Sequence, residues 1–473
     1  MKDYIETALE LLQERDGEVT SEIIRDLIKE HAPERQRMVD LYERYKASKA
    51  GVPVLSRQFT DKKKINNKLN NDFFGEIIDT KVGYFAGEPI TYSVDEEAEQ
   101  QDTKQEVIDQ FKRRNYLPDL DAETVKLAAI CGIAGRLAYI DREGMEKVMN
   151  VDPWECIFIT DMSINEPQYS MRYYKITVKN NEVVSPDGYR KTEERWRVEW
   201  YDDTYVYYFI EQKTGEFLLD PDEPPREHMF DYVPLIGFPN NEEHQGDAEK
   251  VLPLIDGYDR TMSDVNSEIE QFRLAYMYFK GVNLDPYEDE DGRVIDPVEK
   301  MRQTGGFEVP EDGEVGFITK ELQDQIVENH LDRLEKLIYR FSQTPNFQDE
   351  AFAGSQSGIA RKYKMLPFEN KCITMERKFT AALQQMFKVI GSAWQKKGIP
   401  FDYSEIELDF TRNFPLDLLH EAEATEKLRG HVSEKTRLSR LSFVDDVDAE
   451  MEAMKEDMEG MEVDLNQPVL DDE

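Results

Sequence analysis

Clustered carboxylates are the first candidates for chemistry in this sequence, because Asp and Glu side chains can bind divalent cations or transfer protons. Of its 473 residues, 99 are Asp or Glu and 59 are Lys or Arg, which gives a formal net charge of −40. The densest run is Glu-Asp-Glu-Asp-Gly-Arg at 288–293. A calcium loop with Gly292 at its sixth position would place Tyr287 first and Val298 twelfth, and neither side chain is a carboxylate. The run therefore predicts a hairpin turn with solvated charges.

Other catalytic and metal-binding patterns also fail. His420-Glu421 has no second histidine four residues after the first, as a zinc-protease helix requires. The sequence contains no Gly-x-x-x-x-Gly-Lys-Ser/Thr phosphate loop and no Gly-x-Gly-x-x-Gly after a predicted strand. Cys131, Cys156 and Cys372 are isolated, which indicates neither a disulfide framework nor a zinc cluster. We predict a protein that is not an enzyme, with no cofactor and no metal site.

The excess of acid restricts the partners. Nucleic-acid-binding proteins usually carry a basic stripe, and the only dense basic run here is at 62–64. We therefore expect that any contact with DNA involves only weak binding. No run approaches the roughly 18 apolar residues of a membrane span, and residues 1–14 read as an acidic amphipathic helix instead of a secretion signal. From these features alone we expect a cytosolic protein.

Two long amphipathic helices must position any site in the second half of the chain. Apolar residues spaced three or four apart predict a helix over 253–279, with Gly281 as its stop, and a second helix over 321–341. Packed antiparallel, they would form a stalk capped by a small β insert at 282–320. The first helix's apolar positions are Ile255, Tyr258, Met262, Val265, Ile269, Phe272, Tyr276 and Phe279.

The rest of the chain predicts an α+β fold that is mainly helical. Thr20 should cap one helix and Pro33 should open the next, and a later helix over 359–397 should be interrupted at Pro367. The chain exceeds the roughly 250 to 300 residues of a single core, so two or more sub-domains are expected. Period-two patterns indicate strands at 137–141, 155–160, 170–178, 195–201, 204–210 and 216–219.

Four groups of segments, in this order along the chain, resemble the portal proteins of tailed bacteriophages, in the branch typical of phages that infect Gram-positive hosts. The first is Asn-Asn-Lys-Leu-Asn-Asn at 66–71 with 77–92, and the second comprises 233–236, 240–241, 246–247 and 254–256. The third contains Thr-Pro-Asn-Phe at 344–347 with 349–350 and 357–360, and the fourth comprises 413–415, 432–436 and 445–446.

The resemblance implies a portal fold with wing, stem, clip and crown regions. It implies an N-terminal extension and α+β wing at 1–242, stem helix 1 at 243–281, a clip at 282–318, stem helix 2 at 319–342 and a tunnel loop at 343–357. A wing return helix and strand would follow at 358–412, then a crown at 413–459 and an acidic disordered tail at 460–473.

The same resemblance implies three sets of site residues. A tunnel loop lining a DNA channel would contain Thr344, Pro345, Asn346, Phe347, Gln348, Asp349, Glu350 and Phe352. Partner binding by the clip would involve Asp289, Glu290, Asp291, Gly292 and Arg293. Packing of the stem would involve Ile255, Tyr258, Met262, Val265, Ile269, Phe272, Leu334 and Ile338.

The function implied is that of a homo-oligomeric DNA channel, a ring that is dodecameric in this family, at one vertex of the virion capsid. It would serve procapsid assembly, motor docking, genome packaging and ejection, and head-tail joining, after assembly in the host cytoplasm. Its partners would be double-stranded DNA passing through the channel, the terminase motor, a head-completion adaptor, and capsid and scaffolding proteins, with no membrane. An acidic wall suits this role, because a wall that neutralised phosphates would hold the DNA. The alternative from another class is a cytosolic helical scaffold or adaptor without a channel.

Overall fold

A computed structural model gives the structure of the chain. It describes residues 2–14, 17–61, 64–95, 98–160, 167–184, 190–272, 276–288, 292–306, 309–311, 313–318, 324–347, 358–413, 418–439, 441, 444, 447, 450–451 and 453–455. The chain divides into two compact units. The larger comprises Met1–Phe347 with Met365–Thr411, and the smaller comprises Gln348–Lys364 with Arg412–Glu473.

The described residues form an α+β fold that is mainly helical, as predicted. The helices are α1 (Lys2–Glu14), α2 (Ser21–Tyr45), α3 (Pro53–Ser56), α4 (Phe73–Phe85), α5 (Gln101–Asn115), α6 (Leu117–Cys131), α7 (Leu252–Phe272), α8 (Pro297–Thr304), α9 (Asp324–Ser342), α10 (Gly358–Lys396), α11 (Leu418–Lys427) and α12 (Glu434–Leu438).

The strands include one at each of the six segments where period-two patterns predicted them. They are β1 (Thr91–Val94), β2 (Ile133–Ile140), β3 (Glu146–Val151), β4 (Cys156–Thr160), β5 (Pro167–Val184), β6 (Arg190–Tyr201), β7 (Tyr205–Glu211), β8 (Phe217–Leu219), β9 (Arg226–Glu227), β10 (Leu235–Pro239), β11 (Tyr276–Lys280), β12 (Tyr287–Glu288), β13 (Val294–Ile295), β14 (Glu314–Ile318) and β15 (Ile406–Asp409).

An antiparallel sheet of β4 to β9 forms one core together with the N-terminal helices. The strand order is β4-β5-β6-β7-β8, and β9 pairs with β7. Alternate residues such as Tyr173 and Trp200 are fully buried, in the same cluster as Leu12, Ile24 and Leu27 of α1 and α2. The N-terminal helices α1 and α2 therefore cover one face of this sheet.

A second core joins α2, α4, α6, α7 and α9. Its fully buried members include Ile77 and Ile78 of α4, Ile130 of α6, Ile255 of α7 and Ile338 of α9. Helix α10 extends the packing, because Phe379 contacts Phe85 and Phe238 at ring-centroid distances of 6.3 and 5.0 Å. The start of α7 and the end of α9 thus pack in the core of the α+β body.

The prediction of a single helix over 253–279 is wrong at its end. Helix α7 stops at Phe272, and Tyr276–Lys280 is a strand that pairs antiparallel with Glu314–Ile318. Tyr276 and Phe279 matched the helical spacing, but three aromatic residues in a five-residue segment also favour an extended chain. Backbone pairing with β14 decides between the two patterns.

The predicted effects of two prolines are also wrong. Pro33 lies inside α2 and opens no new helix, and α10 continues through Pro367. An internal proline removes one backbone hydrogen bond at a cost of about 3 kcal/mol. Buried residues flank each proline, at Leu27 and Met38 in α2 and at Met365 and Phe368 in α10, so tertiary packing holds both helices together.

Truncating Ile24 should destabilise the sheet core. Because Ile24 is fully buried under the sheet, Ile24→Ala is expected to lower the free energy of unfolding by about 2–5 kcal/mol. The measurement is urea unfolding followed by tryptophan fluorescence. The exposed neighbour provides the control, and Arg25→Ala should change stability by about 0.5 kcal/mol or less. Equal effects of the two substitutions would contradict this account of the N-terminal helices.

Candidate functional site

A polar strap holds α7 along one side. Within the strap, residues 66–71, three backbone amides donate to α7: Asn71 N to Asp259 Oδ1 at 2.8 Å, and Leu69 N to Ser263 Oγ and Asn67 N to Ser267 Oγ, each at 2.9 Å. Four helical residues rise about 6 Å, and two extended residues span about 6.6 Å. The two spacings match, so every second strap residue meets every fourth residue of the helix.

Sequence reasoning quoted the strap for the family resemblance but missed this ladder. Asp259, Ser263 and Ser267 lie off the apolar seam, and the structure buries all three. Their spacing of four residues was the available signal, since positions i, i+4 and i+8 share one helix face. Arg57 adds an ion pair at the far end of the strap, with its Nη1 2.7 Å from Asp264 Oδ1.

The predicted stem-packing residues occupy different environments. Ile255 and Ile338 lie buried in one cluster, and Tyr258 packs against it. Phe73 lies between the helices, with ring centroids 5.0 Å from Tyr258 and 5.9 Å from Tyr339. The remaining members divide further along the helices: Met262, Val265 and Leu334 are half-buried, Ile269 is exposed, and the side chain of Phe272 lies outside the described ones.

The described part of the predicted tunnel loop begins as a well-held segment. Thr344 is buried, and its backbone N–H donates to the carbonyl of Tyr339 at 3.2 Å. Pro345 is half-buried, Asn346 Nδ2 donates to Glu335 Oε1 at 3.0 Å, and Phe347 is exposed. The other predicted loop residues, Gln348, Asp349, Glu350 and Phe352, lie outside the described residues.

The predicted clip residues lie only partly within the described chain. Gly292 has a positive φ of 73°, as a tight turn requires, and Arg293 is exposed. Strands β12 and β13 flank this turn and pair antiparallel, which agrees with the predicted hairpin. Asp289, Glu290 and Asp291 lie outside the described residues.

A buried charge hub fixes the base of this region. Asp247, which precedes α7, lies between two lysines: Lys81 Nζ of α4 is 2.8 Å from Oδ2, and Lys371 Nζ of α10 is 2.9 Å from Oδ1. Asn240 joins the hub by accepting a 2.7 Å hydrogen bond from Lys81 Nζ. Lys371 also donates to the carbonyl of Ser342 at 3.0 Å, which places a cation at the C-terminus of α9.

The hub sets the charge states of its members. Burial alone would raise the pKa of Asp247, but Lys371 and Lys81 together lower it to about 2. Burial lowers the pKa of Lys81, and the attraction of Asp247 offsets this effect while Lys371 adds to it. The attraction of two ammonium groups to one carboxylate explains why the pKa of Asp247 is lowered despite its burial.

A polar cavity of about 380 Å³ adjoins the hub. Side chains from α4, the segment before α7, the end of α9 and α10 line it together. Its lining residues are Lys81, Asn240, Asn241, Asp247, Gln343, Leu366, Pro367, Asn370, Lys371 and Thr374. The described residues contain no group of three or more His, Cys, Asp or Glu side chains arranged to hold a metal ion. Likewise, no described helix is long and apolar enough to cross a membrane.

The hub was also missed by sequence reasoning, although Lys81, Asn240 and Asp247 lie in segments that carried the resemblance. Lys81 was the available signal. It lies four residues from both Ile77 and Phe85 on the buried side of α4, where a lysine needs a buried partner. The partner could not be identified from the sequence, because Asp247 is one of 99 acidic residues.

Comparison with known proteins identifies the family. Residues 24–462 match the family model described as "Phage portal protein, SPP1 Gp6-like". The chain belongs to this family of phage portal proteins. The match confirms the resemblance found in the sequence and favours a portal over a cytosolic adaptor.

Two curated portal proteins match this chain over nearly their whole lengths. The portal protein of Bacillus phage SPP1 is 25% identical over 501 residues, covering 100% of this chain and 93% of the relative. That of Clostridium phage phiCD119 is 26% identical over 449 residues, covering 90% of this chain and 94% of the relative. A chain from a structure titled "Neck of empty GTA particle computed with C6 symmetry" aligns with a TM-score of 0.45 at 12% identity, over 79% of this chain and 90% of that one.

Removing the central carboxylate of the portal's hub should be costly. Asp247→Ala leaves Lys81 buried without its counter-ion, and we expect the free energy of unfolding to fall by about 3–5 kcal/mol. Lys378→Ala, on the same helix as Lys371, is the control. Its pair with Glu242 is largely exposed, so the loss should be about 1 kcal/mol or less. Similar losses in the two variants, measured by urea unfolding, would contradict a special role for the hub.

The hub's contribution should disappear in acid. Because the folded-state pKa of Asp247 lies below its ordinary value of 3.8, its stabilisation is present above that pH and is lost as the pH falls toward about 2. The difference in unfolding free energy between the wild type and Asp247→Asn should therefore shrink by about 2 kcal/mol across this window. Urea unfolding at a series of pH values measures it. A difference that stays constant from pH 5 to pH 2 would refute the assignment.

Proposed function

We propose that copies of this chain form a closed ring, dodecameric as in the family, through which double-stranded DNA passes during packaging and ejection. The observation that supports this most strongly is the tie between the hub and the tunnel loop. Lys371 holds the carbonyl of Ser342, two residues before Thr344. The loop thus leaves a base fixed by α4, α9 and α10, which suits a segment that contacts a moving polymer from a rigid frame.

The strap supports the same proposal. A helix that bears load along its axis benefits from lateral contacts that cannot slide, and each strap amide is bonded to a different side chain of α7. The hydrogen bonds from Asn71, Leu69 and Asn67 cover Asp259 to Ser267, which is the middle of α7. The helix is therefore stiffened by its own chain before any neighbouring subunit is added.

The negative net charge of the chain favours the passage of DNA through the ring over its retention there. With a net charge of −40, the chain repels phosphates on average, so DNA would experience weak attraction and low friction along the channel. The tunnel-loop residues 344–350 and Phe352 would form the constriction. Force would come from a separate terminase motor, and this chain would have no turnover activity of its own.

The clip at 282–318 is the proposed dock for the terminase motor and later for the head-completion adaptor. Its described elements expose charged and apolar side chains together, including Arg293 and Val294 on β13's side and Val298 on α8. Wing and crown, at 1–242, 358–412 and 413–459, would face capsid and scaffolding proteins during assembly in the host cytoplasm.

Loss of the tunnel loop should separate ring formation from packaging. We expect a variant lacking residues 345–356 to assemble into rings, because α7, α9 and the hub are retained, and to lose DNA packaging. Electron microscopy with mass measurement reports the ring, and nuclease-protected DNA in particles reports packaging. A stable monomer under assembly conditions, for the wild type, would contradict the proposed function.

Two matched variants sharpen this test. Replacing 345–356 by a Gly-Ser linker of the same length keeps the chain path and removes only the side chains, and it should also abolish packaging. Removing residues 462–473, an equally long piece of the acidic tail, should leave packaging intact. An adaptor without a channel would tolerate all three changes alike.

A further inference from the structure

Helix α9 carries an exposed basic stripe. Arg333, Lys336 and Arg340 are all exposed, and their spacing of three and four residues places them on one face. That face lies opposite Leu331 and Ile338, which are 7% and 0% exposed in the core. At 1.5 Å per residue, the stripe is about 10 Å long. It runs along the most solvent-exposed line of the helix.

Within the described part of the chain, this stripe has no acidic partner in an ion pair. Among the described residues, no carboxylate forms an ion pair with Arg333, Lys336 or Arg340, although the chain carries 40 more acidic than basic side chains. The guanidinium of Arg340 only lies beside the adjacent ring of Phe341, 5.8 Å from its centroid. Three cations without an ion pair among the described residues, on one face of a strongly acidic chain, indicate a partner outside the subunit.

The same helix carries an acidic stripe on its adjacent flank. Glu328 and Asp332 are exposed, and Glu335 is half-buried, where it accepts the hydrogen bond from Asn346. At 100° per residue, these acids lie about 100° around the helix from the basic stripe. Burial raises the pKa of Tyr258 of α7, and the negative charges of these three carboxylates raise it further. The acidic stripe therefore lies near α7.

We propose that, in the ring inferred above, the basic stripe of α9 in one copy pairs with the acidic stripe formed by Glu328 and Asp332 in the neighbouring copy. A closed head-to-tail ring requires each subunit to present two different, complementary surfaces, one to each neighbour. Opposite stripes on two flanks of one helix meet that requirement. This inference rests on the proposed ring, and it identifies which surfaces close it.

Two observations favour a second copy over DNA as the occupant. Phosphates attracted to Arg333 would also approach Asp332 within the screening length of about 8 Å, and its charge would repel them. Exposed apolar side chains also accompany the stripes, with Ile326 62% and Phe341 55% exposed. Apolar side chains beside charges are typical of protein interfaces, whereas DNA-binding faces are more polar and more positively charged.

Charge reversal tests the pairing. Arg333→Glu with Lys336→Glu makes both stripes acidic, and Glu328→Lys with Asp332→Lys makes both basic. Each variant alone should fail to form rings, because like charges would face each other at every interface. An equimolar mixture should form rings of alternating copies, and a chain carrying all four substitutions should form rings alone. Native mass spectrometry and electron microscopy give the readout.

The controls separate this inference from the ring proposal and from misfolding. Arg25→Glu with Lys29→Glu reverses two exposed cations on α2, and rings should persist. Thermal melting of each unassembled variant reports its folding, and wild-type rings should weaken as salt rises. Intact rings of the Arg333→Glu, Lys336→Glu variant would overturn the pairing. If those rings also retained less DNA, the basic stripe would be assigned to DNA binding instead. Absence of rings in the wild type would instead reject the proposed function.

Discussion

A single buried carboxylate carries the contact on which the larger unit depends. Asp247 and Lys81 are each 1% exposed at the side chain, and removing such charges from water costs several kcal/mol per ion. Two lysines on one aspartate recover that cost only because the remaining protons also find acceptors, at Asn240 Oδ1 and at the carbonyls of Ser342 and Asp247. Four separate parts of the chain must arrive together for the arrangement to be stable. The hub therefore specifies one geometry for the start of α7 and the end of α9.

The strap complements the hub by a different kind of interaction. The hub holds the start of α7 and the end of α9 through charge, whereas the strap holds the middle of α7 through hydrogen bonds to one carboxylate and two hydroxyl groups. Leaving any of the ladder's buried polar groups without a partner would be destabilising. Together the two interactions position α7 on its polar side as well as its apolar side, and this helix buries an aspartate and two serines as well as Ile255.

Periodicity predicted much of the fold, and its failures have local causes. The strands from β4 to β8 and the cores of α7 and α9 follow from alternation and from three-and-four spacing. The segment at 276–280 fits both patterns, and only its pairing with β14 selects the strand. Pro33 and Pro367 were misread because local propensity says nothing of the buried neighbours that hold a helix through a proline. For the site, the family segments contain Lys81 and Asp247. The ion pairs among Lys81, Asp247 and Lys371 could not be predicted, because the sequence does not show which of 99 acidic and 59 basic residues meet in the folded chain.

The hub also places a time constraint on the synthesis of the chain. Lys371 follows Asp247 by 124 residues. At a translation rate of about 5–20 residues per second, the ribosome needs roughly 6–25 s to deliver the second lysine after the aspartate. Throughout that interval the nascent chain has Lys81 and Asp247 but lacks the cation that ties them to the end of α9. The junction of α4, α9 and α10 at the hub therefore forms late, after most of the polypeptide has been synthesised.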